Sequence, residues 1–152
     1  MNLGEALSLL KQEKSRLSRI ISIRKENVFL EKGKKTVFDP KDLGKKIDEK
    51  ISEIRRLKIK IQKTNLQTKI ENEDLTIAEA IIKIGDIRSK LANLRNLFEK
   101  RGHFYYRERE EKEMIPQLDE KDVENEIEEL EKEKTLLDNG LQVANWKTEL
   151  IS

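Results

Sequence analysis

The side chains able to do chemistry are few in this sequence and stand far apart. His103 is the single histidine and there is no cysteine, so a zinc site or a thiol nucleophile has no partner residues. Glu124 and Glu128 stand one helical turn apart, but the Glu-x-x-His motif of di-metal bundles is missing. P-loop, HExxH, GxSxG and EF-hand patterns are also missing. We therefore predict a protein that is not an enzyme, with no catalytic residue, metal site, cofactor or identifiable small-molecule substrate.

The composition favours long amphipathic helices. Among 152 residues, 41% are charged, 36% are hydrophobic and 5% are aromatic, a balance typical of helical bundles and coiled coils. Disorder is the competing interpretation of so much charge, but the net charge is only +2 and the apolar residues recur periodically. The sequence therefore predicts an ordered helical protein.

Apolar residues seven positions apart predict four helices, at about residues 3–28, 40–70, 77–101 and 119–145. We expect a single all-α domain over residues 1–152, an antiparallel up-down four-helix bundle with coiled-coil-like packing. Whether the helices close within one chain or intertwine between chains stays open. The rows are Leu3, Leu10 and Leu17; Ile47, Ile54 and Ile61; Ile77, Ile84, Leu91 and Phe98; and Val123, Leu130 and Leu137.

Capping residues mark three of the predicted helix starts. Asp39 precedes Pro40, a residue suited to the first helical position. Thr76 and Glu79 have the spacing of a capping box. Asp119 can cap the last helix.

Two segments between helices, residues 28–38 and 103–117, break the helical period and contain β-prone residues. The first is either a short hairpin around Gly33 or an irregular charged loop. Alternating helix directions would bring both segments to one end of the bundle, where they could form a small sheet. Candidate interaction residues are Phe29, Phe38, Phe104, Tyr105, Tyr106, Arg107 and Trp146. Trp146 is read either as packing over a bundle end or as an interface anchor.

The second predicted helix becomes polar toward its carboxyl end. Thr64, Asn65 and Thr68 occupy seam positions where isoleucine and leucine stand earlier. Buried polar groups at a seam can fix the register of helix pairing at a cost in stability. The alternative is that these residues occupy a solvated helix end beside the turn. We predict a structural role rather than a ligand site.

Charge is distributed unevenly along the chain. Residues 30–63 carry a net charge of +6, and residues 108–134 carry −8. The basic stretch is either a phosphate-binding surface or a face matched by the acidic helix within the bundle. The second interpretation is favoured, because acidic residues interleave the basic run.

The expected cellular location of the protein follows from the absence of targeting signals. The first residues lack a positive segment followed by an apolar core, so no signal peptide is expected. No stretch approaches the roughly 18 apolar residues of a membrane span. We expect a cytoplasmic protein.

Several short stretches resemble a family of small uncharacterised bacterial helical proteins, some of which are labelled septicolysin. They include Thr64-Asn65 with Thr68, Leu75-Thr76 with Glu79-Ala80, and Asn145-Trp146 with Thr148-Glu149-Leu150. The resemblance spans nearly the whole chain and implies a coiled-coil-like bundle of unknown function, without catalytic residues to transfer.

The leading hypothesis is therefore a helical scaffold or protein-interaction module that forms homo-oligomers. The alternative is a nucleic-acid-associated protein that uses the lysine-rich face of the second helix. A membrane-active toxin, as the septicolysin label implies, fits the sequence less well, because a pore former should carry an export signal or an apolar inserting segment.

Overall fold

A computed structural model describes residues 1–98 and 114–152, and these form four α-helices. The helices are α1 (Leu3–Glu26), α2 (Pro40–Gln67), α3 (Ile77–Arg95) and α4 (Glu120–Lys147). The predicted all-α fold class is confirmed. Contacts divide the chain into two compact units: an amino-terminal unit of Met1–Thr68 with Ala144–Ser152, and a central unit of Lys69–Val143.

Side-chain caps set the starts of the helices. Asp39 Oδ1 accepts a hydrogen bond from Lys41 N at 2.9 Å, ahead of Pro40. Asp119 Oδ1 accepts from Lys121 N at 2.8 Å. Each bond satisfies a backbone donor that has no partner within the helix. Both predicted caps are confirmed.

Full capping boxes begin α1 and α3. Thr76 Oγ1 accepts from Glu79 N, while Glu79 Oε2 accepts from Thr76 N at 2.7 Å. Asn2 and Glu5 make the same reciprocal pair at the start of α1, where the sequence analysis named no cap.

The ends of the helices differ from the predicted bounds by a few residues. Helix α2 ends at Gln67 because Thr68 is extended. From there a tight turn begins, in which Ile70 N donates to Leu75 O at 2.9 Å and Asn72 has a φ of +67°. Helix α3 ends at Arg95, before the predicted end near residue 101.

Helices α1 and α2 form an antiparallel pair in the amino-terminal unit. Arg24, near the end of α1, donates from Nε to Pro40 O at the start of α2, at 3.0 Å. Its guanidinium lies over Gly44, where an added Cβ would come within 2.9 Å of Arg24 Nη2. The buried residues of the pair are Leu3, Gly4, Ala6 and Glu13 from α1, with Leu43, Ile47, Ile54, Ile61, Thr64 and Asn65 from α2.

Helices α3 and α4 pair in the central unit around an apolar cluster. Ile84, Ile87, Leu91 and Leu137 are buried together. Three ion pairs bridge the same helices: Lys83 with Glu133 at 2.5 Å, Lys90 with Glu126 at 2.7 Å, and Arg95 with Glu131. The first two pairings show that the helices run antiparallel.

Of the two interpretations of residues 28–38, the hairpin is wrong and the irregular charged loop is confirmed. These residues contain no strand and turn at Gly33, whose φ is +88°. Thr36 and Asn27 hold the loop through a side-chain hydrogen bond of 3.0 Å. Phe29 and Val37 are each 89% exposed, so a hairpin here would have nothing to pack against, and isolated hairpins are marginal in water. The companion segment lies outside the described residues up to residue 113.

Candidate functional site

The predicted aromatic residues do not form one cluster. Phe29 and Phe38 lie in the loop between α1 and α2 and are exposed. Trp146 lies near the end of α4, and its ring packs over Gly4 in the first turn of α1. Helix α1 separates these places by about 35 Å, at 1.5 Å per residue. Phe104, Tyr105, Tyr106 and Arg107 lie outside the described residues.

Trp146 and Gly4 pack closely, so a larger side chain at Gly4 would require the indole to move. An added Cβ would lie 3.1 Å from Trp146 Cδ2. One face of the indole is therefore covered by α1, although the residue stays 60% exposed. The structure supports the packing interpretation for this face, while the exposed remainder is free to contact another molecule.

The carboxyl end of α2 contains the predicted polar seam, and its three residues have different roles. Thr64 is fully buried; its hydroxyl donates to Lys60 O at 2.9 Å and accepts from Ile151 N at 3.1 Å. It thereby ties the carboxyl-terminal segment to α2. Thr68 is the C-cap, and its N–H donates to Thr64 O.

Asn65 is the polar residue of this seam that stays incompletely satisfied. The side chain is only 7% exposed, and its Oδ1 accepts no hydrogen bond from the described residues. A buried acceptor without a donor reduces stability. Asn65 is therefore costly where it lies, as expected of a residue that specifies a particular pairing.

An ion-pair network that the sequence analysis missed joins α1 to α2. Lys50 Nζ lies 2.7 Å from Glu13 Oε2 and 2.6 Å from Glu53 Oε2. Arg16 Nη1 lies 2.5 Å from Glu13 Oε1. Glu13 is only 8% exposed. The network therefore places opposite charges within the seam rather than at its rim.

Hydrogen bonding within this network shifts both partners toward their charged forms. The hydrogen bond from Lys50 lowers the pKa of Glu13 below its ordinary value, although burial opposes the shift. The hydrogen bonds to Glu13 and Glu53 raise the pKa of Lys50. A sequence signal existed: Glu13 stands seven residues after Ala6 and seven before Ile20, so it interrupts an otherwise apolar row.

Five cations lie on the exposed side of α2. Arg55, Arg56, Lys58, Lys60 and Lys63 are exposed, and none forms an ion pair with any residue in the described ranges. They lie on the second helix, whose lysine-rich face the sequence analysis considered for nucleic-acid binding. They form a positive surface available to another molecule.

A shallow groove runs beside these cations. Lys58, Ile59, Ile61, Gln62, Lys63 and Leu66 line it. Ile59 and Leu66 stand seven residues apart and are 48% and 63% exposed. We call this surface, together with Arg55, the α2 groove; it combines an apolar stripe with positive charge.

Helix α4 carries the opposite charge. Glu120, Asp122, Glu124 and Glu128 are exposed and form no ion pair within the described part of the chain. Toward its carboxyl end, Leu136 and Val143 are also seven residues apart, at 68% and 44% exposure.

Residues 1–98 and 114–152 contain neither a metal-binding cluster nor a helix suited to cross a membrane. No group of three or more histidine, aspartate or glutamate side chains is arranged to hold a metal ion. No described helix is both long and apolar enough to cross a membrane.

Residues 11–150 match the model of a family of unknown function (DUF6847). A solved structure, described as the crystal structure of a functionally unknown conserved protein from Corynebacterium diphtheriae, is similar with a TM-score of 0.81. The two chains are 24% identical, and the match covers 99% of each. No curated protein matches the chain significantly. The family description and the neighbour's title do not carry the septicolysin label; the similarity supports the fold.

Proposed function

We propose that this chain, which belongs to the family of unknown function DUF6847, is a helical scaffold or protein-interaction module that self-associates and performs no catalysis. In this proposal its helices display side chains to partners rather than enclose a substrate. A chain without cysteine needs no oxidising compartment to fold, and we assign it to the cytoplasm, which cell fractionation can test.

The observation that carries the proposal is the number of large apolar side chains left exposed on regular helices. A two-helix pair can bury only one face of each helix. Contiguous apolar patches on soluble proteins usually mark contact sites. The exposed pairs are Ile59 and Leu66 on α2, Ile81 and Ile82 on α3, and Leu136 and Val143 on α4.

Size-exclusion chromatography with light scattering tests the proposal. The protein should elute as a defined oligomer whose mass falls on dilution. A monomer at every concentration up to the solubility limit would contradict self-association. Adding nonspecific DNA to the same runs separates this function from the next candidate.

Nucleic-acid binding is the second candidate, and it is favoured by the five cations on the exposed side of α2 that form no ion pair with the described residues. Contacts between such cations and phosphates release counterions, so binding should weaken steeply as salt increases. Co-elution with DNA at low salt that disappears at high salt would support it. No co-elution at low salt would exclude it.

A membrane-active role, as the septicolysin label would imply, is a third candidate. The loop between α1 and α2 exposes Phe29 and Val37 near Lys32, Lys34 and Lys35, a combination that can bind anionic lipid surfaces. Leakage of dye from anionic liposomes would support this role, and its absence would contradict it.

A further inference from the structure

We propose that the α2 groove is the docking site for an acidic amphipathic helix of another protein. The inference deepens the proposed function and rests on its interaction-module part, because it names the class of partner that such a module binds. The partner helix packs apolar side chains on Ile59 and Leu66 and places carboxylates beside the cations of the groove.

The first step is that the apolar and the charged residues of the groove share one helix face. At about 100° per residue, Leu66 and Arg55 lie within about 40° of Ile59 around the axis of α2, and Lys63 and Arg56 lie within about 60° on the other side. All five side chains are exposed. A helix laid along this face therefore contacts the aliphatic and the cationic side chains together.

The second step is the uniform sign of the charge. Residues 55–66 contain five cations and no acidic residue, and these cations form no ion pair with the described residues. The amino-terminal unit as a whole contains 19 basic and 10 acidic residues, a net charge of +9. An acidic partner is therefore attracted at a distance and meets complementary charge at the contact.

The third step is the apolar stripe. Ile59 and Leu66 are one heptad apart and are 48% and 63% exposed. When these two residues are taken as one seam position, Arg56 and Lys63 occupy one flanking position and Lys58 occupies the other. Charges at flanking positions select the partner of a coiled coil. A helix with a heptad-spaced apolar stripe and glutamates beside it matches both features.

The second seam position is polar and suits the same partner. Arg55 and Gln62 occupy it, and both are exposed. Long polar side chains can lay their methylene stems on apolar surface while their polar ends reach the rim. A guanidinium at the rim can bind a carboxylate through two parallel hydrogen bonds. An acidic helix therefore provides partners for this position that a purely apolar helix lacks.

Helices α2 and α4 of a second copy fit the groove poorly. The exposed aliphatic pair of α4, Leu136 and Val143, has Lys132 four residues before it and Lys147 four residues after it on the same face. Packing this pair on the α2 groove would bring cations against cations, and so would packing one α2 on another. Like charges brought together across an interface cost free energy, so a different protein is the better partner.

A nucleic acid would use only part of the groove. Phosphates can bind Arg55, Arg56 and Lys63, but they leave Ile59 and Leu66 without apolar contacts. Binding through phosphates alone is therefore insensitive to the loss of these two aliphatic side chains, whereas docking of an amphipathic helix depends on their burial. The experiment measures this difference.

A synthetic acidic peptide tests the inference on the full-length chain. The probe has about four heptads, with leucine at both seam positions and glutamate at the flanking positions, and its binding is measured by fluorescence anisotropy at low salt. A scrambled peptide of the same composition, whose leucines no longer share one face, is the control. We expect the patterned peptide to bind and to become helical by circular dichroism. The scrambled peptide should bind about tenfold more weakly or worse.

Two variants of the groove separate the apolar from the charged contribution. Ile59→Gln with Leu66→Gln removes the stripe and retains the charge, while Arg55→Glu with Lys63→Glu reverses the charge and retains the stripe. Each variant should weaken binding of the patterned peptide about tenfold or more.

Each variant has a matched control outside the groove. Leu136→Gln with Val143→Gln removes an equally spaced aliphatic pair from α4. Lys32→Glu with Lys35→Glu changes the charge of the same unit by the same amount, at exposed loop lysines. Both controls should bind the peptide like the unmodified protein. Circular dichroism should show unchanged helicity for every variant.

The possible results separate the inference from the function on which it rests. No binding of the patterned peptide at low salt, or binding that is unchanged in either groove variant or equally weakened in its control, would overturn the docking site. Equal binding of the scrambled peptide would also overturn it and would assign the groove to a polyanion. An oligomer that does not bind the peptide would leave the scaffold proposal standing, whereas a monomer that binds it would overturn self-association alone.

Discussion

The two helix pairs of this protein are built from the same heptad pattern but differ in what lies between the helices. In the central unit, α3 and α4 bury Ile84, Ile87, Leu91 and Leu137 together, and their ion pairs lie at half-exposed positions. Between α1 and α2, aliphatic residues share the seam with ionised side chains and with a threonine and an asparagine.

The difference indicates that the pairs are specified in different ways. A hydrocarbon core gains free energy with every buried methylene group but tolerates sliding by one heptad, because each layer resembles the next. A charge pair such as Glu13 and Lys50 fits one register only. Replacing buried ion pairs with apolar residues is often neutral or stabilising, so their use between α1 and α2 favours specificity over stability.

The largest effect is expected in the hydrocarbon core. Leu137 is 2% exposed, and Leu137→Ala should lower the free energy of unfolding by about 2–5 kcal/mol, since it removes buried apolar contacts and leaves a cavity. Chemical denaturation of dilute protein measures the change. The neighbouring exposed Leu136→Ala is the control and should stay within about 0.5 kcal/mol. Equal effects would show that the cluster does not stabilise the central unit.

The next effect is expected at the ion pair between α1 and α2. Lys50→Met should destabilise the protein because it leaves the Glu13 carboxylate buried without its main partner, but by less than Leu137→Ala, since water and Arg16 still reach that carboxylate. Glu13→Leu combined with Lys50→Met should recover most of the loss. A double-mutant cycle from denaturation curves measures the coupling, and additive single effects would contradict the proposed pairing.

The same pair should make stability depend on pH in a defined direction. Because the folded-state pKa of Glu13 is lowered, its contribution is complete above the ordinary glutamate pKa and is lost as the pH falls through the lowered value. Because the pKa of Lys50 is raised, its contribution is lost only as the pH rises above the ordinary lysine range. Lys50→Met should show a smaller loss of stability in acid than the unmodified protein.

Helix caps should not distinguish the two units. Thr76→Ala and Asn2→Ala each remove the side-chain acceptor of a capping box, and each should cost about 1 kcal/mol in thermal or chemical denaturation. Thr135→Ala is the control in α4, where the hydroxyl donates back to Glu131 O within the helix, and little change is expected. A much larger loss of stability at one cap would show that the helix caps contribute to the difference between the units.

The smallest effects on the free energy of unfolding are expected from substitutions at two glycines, and these effects should differ in sign. Gly85 in α3 has nothing within 4 Å of an added Cβ, so Gly85→Ala should stabilise the helix by about 0.5–1 kcal/mol. At Gly4 the added Cβ would press on the indole of Trp146, so Gly4→Ala should bring no gain and should shift tryptophan fluorescence. A stabilising Gly4→Ala with unchanged fluorescence would contradict the close packing there.

The sequence was sufficient for the existence of the helices, for the caps at Asp39, Thr76 and Asp119, and for the all-α class, because these depend on local spacing. The polar seam at Thr64 and Asn65 was also visible, since it breaks an aliphatic row. The role of Glu13 was missed because a single charge in an apolar row does not reveal its partner. That partner, Lys50, lies on another helix. The sequence could not decide between a hairpin and an irregular loop at residues 28–38, because β propensity depends on neighbouring strands.

The division of the chain into units has a consequence for the order of folding. The central unit is one continuous stretch, Lys69–Val143, whereas the amino-terminal unit joins Met1–Thr68 to Ala144–Ser152. The bond from Ile151 N to Thr64 Oγ1 spans 87 residues, and Leu3 N donates to Thr148 O. During synthesis the central unit can therefore form from local contacts, whereas the amino-terminal unit is completed only by residues made after the central unit. Of the two units, the one that begins the chain should be the last to be completed.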